Sequence, residues 1–358
     1  VRFGLIGAGS ITRGSHIPSL RQIGEARLVA VCDQREEVAR RVAEEESIEH
    51  VFSGYRDLLK LKSVDAVIVA TPNAFHAPIS IEALNAGKHV LCEKPMAVSE
   101  KEAGAMVRAA EKSGRVFMLA LNNRFKAESR FLKNYIERGE IGRIYYARAA
   151  FVRRRGSPGG WFSQRKYSGG GPLIDLGVHI LDLILWLMGY PAVESVSGAT
   201  SMHLNNYTTR EIDAYKADWN IPAPSDVESF ANAYLRTHDG GSIFLETSFA
   251  LNCKEDRTFI EIHGERGGAR LWPLEIFSEM DDVLLDITPH CGRSDSYLEE
   301  NRHFVDCILH NRKPDATVRQ GYEIVRILEA AYRSAEERRE IKMEESSVPE
   351  TGEPGRKR

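Results

Sequence analysis

From residue 2 to residue 121, short β-branched apolar runs alternate with polar stretches of helical period, a rhythm that few architectures accommodate. The runs at 3–6, 28–32, 66–70, 89–92 and 116–120 show no inside–outside alternation, so each is expected to be buried on both faces. Residues 36–46, 78–86 and 100–112 supply the helices that would cover those faces, and a doubly wound parallel sheet follows. After Asn122 the pattern lengthens into alternating segments at 144–152, 229–236, 242–249 and 258–263, interrupted by an apolar helix at 172–188. In one of them Ile260 and Ile262 alternate with Phe259, Glu261 and His263, so one sheet face should pack on helices while the other lies open and favours self-association.

The fold class expected is therefore α/β. An N-terminal doubly wound parallel (Rossmann) sheet spans residues 1–121, and a C-terminal α+β domain with a large, open, mostly antiparallel sheet spans 122–345. A helix at 321–338, with Ile324, Leu328, Ala331 and Ala335 on one stripe, closes the second domain, and 346–358 reads as a tail.

Charge and cysteine usage narrow the partners. Lys plus Arg is 48 and Asp plus Glu is 51, a net charge of −3, which provides no general cationic field for a nucleic-acid backbone. The longest strongly apolar run, 181–188, falls short of the roughly 20 residues that span a bilayer, so no membrane partner is expected. Five scattered cysteines without a C-x-x-C pair read as reduced thiols, and the first glycine turn begins too near Val1 to leave room for a signal peptide ahead of it. A cytoplasmic address is the expectation.

The run Gly7-Ala8-Gly9-Ser10-Ile11-Thr12 directly follows the first strand, where glycines let backbone N–H groups approach a pyrophosphate at a helix N-terminus. Thr12 departs from the Gly or Ala that usually ends this fingerprint, and Gly14 and Pro18 weaken the helix behind it, which should be short or start late. Asp33 ends the second strand about 20 residues further on, placed to accept from ribose hydroxyls. It favours NAD by repelling a 2′-phosphate, although the adjacent Arg35 partly offsets that, leaving NADP open. The alternative is an ordinary strand-to-helix turn with Asp33 as a cap.

In the helix at 172–188, entered through Gly169-Gly170-Gly171-Pro172, only Asp175, His179 and Asp182 are out of place in a core. They stand at i, i+4 and i+7, one face of a regular helix, and burying them is costly unless they are paired or border a wet cleft. Acid–base chemistry, a structural His–Asp pair and a divalent metal site all fit that face. No second cluster with ligand spacing accompanies it, so no metal is expected.

Together, residues 7–12, Ala70-Thr71-Pro72-Asn73 with His76, Glu93-Lys94-Pro95 and Asp175-x-Gly177-x-His179 resemble, in order and spacing, the Gfo/Idh/MocA family of NAD(P)-dependent sugar and cyclitol oxidoreductases. The resemblance runs from Arg2 to roughly Met343. It implies an active site of Lys94, Asp175 and His179, with Thr71, Pro72, Asn73, His76 and Glu93 bordering the nicotinamide half of the cofactor. It also implies a homodimer or homotetramer built through the second domain's sheet. The dinucleotide set is thus Gly7, Gly9, Ser10, Ile11, Asp33, Arg35 and the strand-end residues including Lys94.

The chemistry these residues suit is oxidation of a secondary alcohol of a sugar, sugar derivative or inositol. His179 would take the hydroxyl proton, Asp175 would orient it, and the Lys94 ammonium would hold the reacting oxygen. Asn122 and Arg124 after the sixth strand, and Arg155, Trp161 and Lys166 before the glycine turn, are candidates for a polyhydroxylated substrate, since guanidinium forks bind oxygen pairs and indole faces stack on sugar rings. Because 153–155 alternate along a strand, at least one of those arginines should face solvent. Two other functions share these motifs: cleavage of glycosides through transient oxidation by a retained nicotinamide, and a non-catalytic cofactor or sugar sensor.

Overall fold

Six strands pair entirely in parallel: β1 (Arg2–Ile6), β2 (Arg27–Cys32), β3 (His50–Phe52), β4 (Ala66–Val69), β5 (His89–Glu93) and β6 (Phe117–Ala120). Their order, β3-β2-β1-β4-β5-β6, reverses direction between β1 and β4, the position at which doubly wound sheets bind ligands. All four residues of β4 are buried, as are Phe3, Leu5, Val90, Leu91 and Met118, because helices such as Glu36–Glu46, His76–Asn85 and Glu100–Ser113 cover the sheet. The described residues of this computed structural model are 1–207, 209, 216–221, 223–344 and 348.

The second sheet has nine strands: β7 (Ile144–Val152), β8 (Val193–Ser201), β9 (Phe230–Thr237), β10 (Ser242–Ser248), β11 (Arg257–Gly264), β12 (Gly268–Leu271), β13 (Glu275–Met280), β14 (Val283–Ile287) and β15 (Ile341–Lys342). They run in the order β14-β13-β12-β11-β7-β10-β9-β8-β15, antiparallel except for the central pair β7 and β10. Ile260 and Ile262 face inward and are fully buried, whereas Phe259, Glu261 and His263 face outward. The open face expected from the alternation is there.

Three features depart from the sequence reading. The helix after the glycine turn starts at once, at residue 10, but its middle, Thr12–His16, is a π turn before Ile17–Arg21 resumes as α-helix. Strands β3, β8 and β12–β15, and the helices Ala127–Glu137 and Ser296–His310, were not among the expected elements. Of the supposed tail 346–358 only Val348 lies within the described residues, and it is buried, with its side chain against Gly104.

The apolar helix is also in two parts, a π turn at Leu173–Gly177 followed by α-helix Val178–Leu187. By length and composition the stretch Arg165–Leu187 could cross a bilayer, but 94% of its apolar window is buried inside the protein, which is the condition of a core helix. The helix packs on β7, β10 and β11 of the second sheet, and from its N-terminal turn Asp175 reaches Lys94 at the carboxyl end of β5.

Candidate active site

At that junction lies a cavity of about 870 Å³ walled by both sheets. The cofactor candidates Gly7, Gly9, Ser10, Ile11, Asp33 and Arg35 line one end of it. Thr71, Pro72, Asn73, His76, Glu93 and Lys94 line its middle, and Asp175 and His179 close it from the second domain. Every residue of those two sets therefore borders one space.

The glycine end is built by close backbone contact. Gly7 has φ +97°, and a Cβ there would collide with the carbonyl of Ala70 at the end of β4. Thr12, the fingerprint's departure, is accommodated: it is buried, and its hydroxyl donates to Gly7 O at 2.7 Å, closing the turn from within. Asp33 Oδ2 accepts from Ala8 N at 3.0 Å and Oδ1 from Arg35 N at 2.9 Å, so the carboxylate is fixed at the strand end. A dinucleotide fits this cradle. A carboxylate of the chain itself, Asp218, stands in for an anion there by accepting from Ser10 N.

The middle is held by two histidines. The His76 ring nitrogens lie 2.7 Å from Pro95 O and 2.8 Å from Thr71 O, tying the turn after β4 to the turn after β5. His16, brought inward by the π turn, meets Glu93 Oε1 at 3.0 Å, while Glu93 Oε2 accepts from Lys94 N at 3.2 Å. Burial pushes the Glu93 carboxyl up, but His16 and the charge of Lys94 outweigh it and hold the group below the ordinary glutamate value.

Lys94 Nζ donates to Asp175 Oδ1 at 2.8 Å and to Asp175 O at 3.1 Å, an ion pair at the cavity wall with side chains 17% and 10% exposed. This corrects the expected role of Asp175, which was to orient His179: its carboxylate is paired with the lysine. His179 Nδ1 is enclosed and has no hydrogen-bond partner among the described residues. Burial, and then the positive charges of Lys94, Lys126 and Arg153, hold the His179 imidazole well below the usual histidine value, so it is neutral at pH 7.

A clamp from behind fixes the start of this helix. The buried Glu228 carboxylate accepts from Gly171 N at 2.9 Å, Leu173 N at 3.2 Å and Tyr332 Oη at 2.7 Å. Glu228 and Tyr332 press so closely on the turn that a Cβ at Gly170 would meet the Tyr332 hydroxyl and one at Gly171 would meet Glu228. The glycine run is thus a packing surface, a role its flexibility does not reveal.

The substrate candidates divide. Asn122 and Trp161 line the cavity. Arg124 does not: it is completely buried, bonded through Nε to both Asp182 oxygens at 3.1 and 3.0 Å and through Nη1 to Asp315 O at 2.6 Å. Asp182 accordingly faces the core and leaves the cleft face that it was expected to share with Asp175 and His179. Arg155 is spent on Leu251 O and Asn252, and Lys166 Nζ lies over the Tyr167 ring, 4.7 Å from its centroid; neither borders the cavity. Arg153 does border it, and Arg154 is the arginine that faces solvent. Phe151, Phe162, Asp218, Trp219 and Tyr297 also line the space and were not anticipated. Among the described residues no three His, Cys, Asp or Glu side chains converge to hold a metal ion.

The profile of the Gfo/Idh/MocA oxidoreductase family's NAD-binding Rossmann fold matches residues 1–121, and that of its C-terminal alpha/beta domain matches residues 133–343. The chain is 33% identical over 344 residues to the D-glucoside 3-dehydrogenase of Escherichia coli, covering 94% of this chain and 95% of that one. It is 26% identical to the myo-inositol 2-dehydrogenase of Thermotoga maritima, covering 96% and 99% respectively. Among solved structures, levoglucosan dehydrogenase in complex with NADH and levoglucosan superposes with a TM-score of 0.82 at 24% identity, covering 96% of this chain and 99% of that one.

Proposed function

This chain belongs to the Gfo/Idh/MocA oxidoreductase family, and from that premise we propose that it transfers hydride between NAD and a secondary hydroxyl of a sugar, sugar derivative or inositol, with Lys94, Asp175 and His179 as its reaction centre. The observation that carries the assignment is the convergence of these three side chains on one cavity wall, continuous with the glycine-rich turn.

NAD held at the glycine turn supplies the hydride acceptor. In the oxidising direction His179, neutral at pH 7, takes the hydroxyl proton of the substrate. Lys94 donates to the same oxygen and stabilises its alkoxide character, the electrostatic task worth most in such sites. Asp175 holds the ammonium in place through two contacts and balances its charge. Asp33, fixed by Ala8 N and Arg35 N, would receive the ribose hydroxyls of that cofactor and discriminate against a 2′-phosphate. Asn122, Arg153 and Trp161 meet the polyhydroxylated substrate, the indole through an apolar ring face.

The outward face of the second sheet carries Phe244, Tyr234 and Phe259 beside the Arg148–Glu261 ion pair, and it serves as a self-association surface. Light scattering of the purified protein tests that assembly. The function is tested by a panel of glucosides, aldoses, inositols, sugar phosphates and nucleotide sugars with NAD and with NADP, followed by nicotinamide absorbance. Accumulation of NADH supports a dehydrogenase; release of aglycone without NADH supports transient-oxidation cleavage instead. Turnover undiminished in both Lys94→Ala and His179→Ala would remove the reaction centre.

A further inference from the structure

Asp218 and Trp219 line the cavity, and residues 216–219 touch both of its walls. On the side of the second domain, Ala217 N donates to Pro158 O at 3.0 Å, Trp161 N donates to Trp219 O at 3.2 Å, and Lys216 Nζ donates to Ser157 O at 3.1 Å. The Trp219 ring packs 4.7 Å from that of Tyr167. On the side of the first domain everything centres on Asp218. Its carboxylate accepts from Ser10 N, its Oδ2 lies 3.4 Å from the Arg13 guanidinium and against Gly9, and its carbonyl accepts from Arg35 Nη1 at 3.3 Å.

Ser10 N is the first helical N–H after the glycine turn, the kind of donor a dinucleotide pyrophosphate uses. A carboxylate at pH 7 only accepts hydrogen bonds, as a phosphate does, so the two compete for that N–H and for Arg13 and cannot share the seat. We propose that Asp218 is an internal ligand of the cofactor's phosphate site, and that its displacement sets how tightly the dinucleotide binds. The proposal rests on the reading of the glycine turn as a dinucleotide site. It differs from assigning Asp218 as a cofactor ligand, because a carboxylate left beside a bound pyrophosphate repels it.

The magnitude follows from exposure. The Asp218 and Arg13 side chains are 31% and 39% exposed, so their pairing is partly screened and a doubly charged pyrophosphate can evict the single carboxylate. The apparent affinity is then reduced by the fraction of molecules in which the seat is already vacant.

The test is titration of the wild-type chain, Asp218→Asn and Asp218→Ala with NADH by fluorescence, and with inorganic pyrophosphate alone by calorimetry. Asp218→Ala should bind NADH about tenfold more tightly than wild type, and pyrophosphate should gain in the same direction. Asp218→Asn, which keeps the shape and an acceptor but loses the charge, should fall between them and guards against a folding defect in the alanine variant. Unchanged or weaker NADH binding in both variants would overturn the proposal. Absence of NADH binding to the wild type and both variants would instead overturn the dinucleotide reading on which it rests.

Discussion

Asp175 and Asp182 lie seven positions apart on one apolar helix, each is buried, and each is paired with a cation, yet they do different work. The Asp182–Arg124 pair is sealed, with side chains 1% and 0% exposed, and Arg124 spends its remaining donors on Asp315 O, Gln320 and Tyr190. The Asp175–Lys94 pair keeps 10% and 17% exposure, and among the described residues the Lys94 ammonium hydrogen-bonds to Asp175 alone. A buried ion pair whose donors are exhausted supports architecture; one that keeps a donor turned toward an open space can take part in a reaction.

Substitutions at both pairs and along the cavity sharpen or break that contrast. Lys94→Met should lower turnover about 10³-fold or more while leaving the unfolding midpoint nearly unchanged; a loss confined to stability would make the two pairs alike. Asp182→Ala should do the reverse, costing about 3–5 kcal/mol in urea unfolding because it strands a buried guanidinium. The paired replacement Arg124→Met with Asp182→Leu should recover most of that loss, and no recovery would mean that the sealed pair has another role.

His179→Asn should reduce turnover about 10²-fold. In the wild type the acid limb of kcat/KM for alcohol oxidation should lie below the ordinary histidine value of 6.5, since a lowered pKa keeps the imidazole neutral as pH falls. Removing the positive charge of Lys94 takes away one cause of that lowering, so residual activity of Lys94→Met should show the limb at higher pH; a fixed limb would uncouple the two groups. The smallest effect belongs to the distant end of the cavity, where Asp33→Ala should relax discrimination against NADP about tenfold, read from the ratio of kcat/KM values.

The parallel sheet was legible because strands covered on both faces are written as continuous apolar runs, and the glycine turn and Asp33 that line one end of the cavity were legible at strand ends. Strand β3 escaped because it has three half-buried residues at the sheet edge, and β14 because its Val283, Leu284 and Ile287 are exposed, so neither carries a burial signal. Spacing also fixes where a residue sits without fixing its partners. Arg124 follows β6 as expected but turns inward to a carboxylate 58 positions away, and Arg155 turns to the loop after β10. The expected i, i+4, i+7 face lost only its third member: Asp175 and His179 both border the cavity, while Asp182 is taken inward by Arg124. Asp218 lies where no periodicity marks the chain, and only the folded backbone brings it to Ser10.

The clamp on the glycine run reaches far along the chain, for Tyr332 comes from the last long helix, Val318–Glu337, and the turn it braces launches Asp175. During synthesis the nucleotide-binding half has all of its strands once Ala120 has left the ribosome, and domains fold as they emerge. Neither the cover of that sheet nor the wall facing it is complete at that point, because Phe304 packs on Phe3 and Gly321 and Tyr322 lie against Met96 and Gly104. A nascent chain that has not yet released residues 296–337 therefore holds a half-covered glycine-turn cradle facing an unbraced wall, and the same late helices complete both.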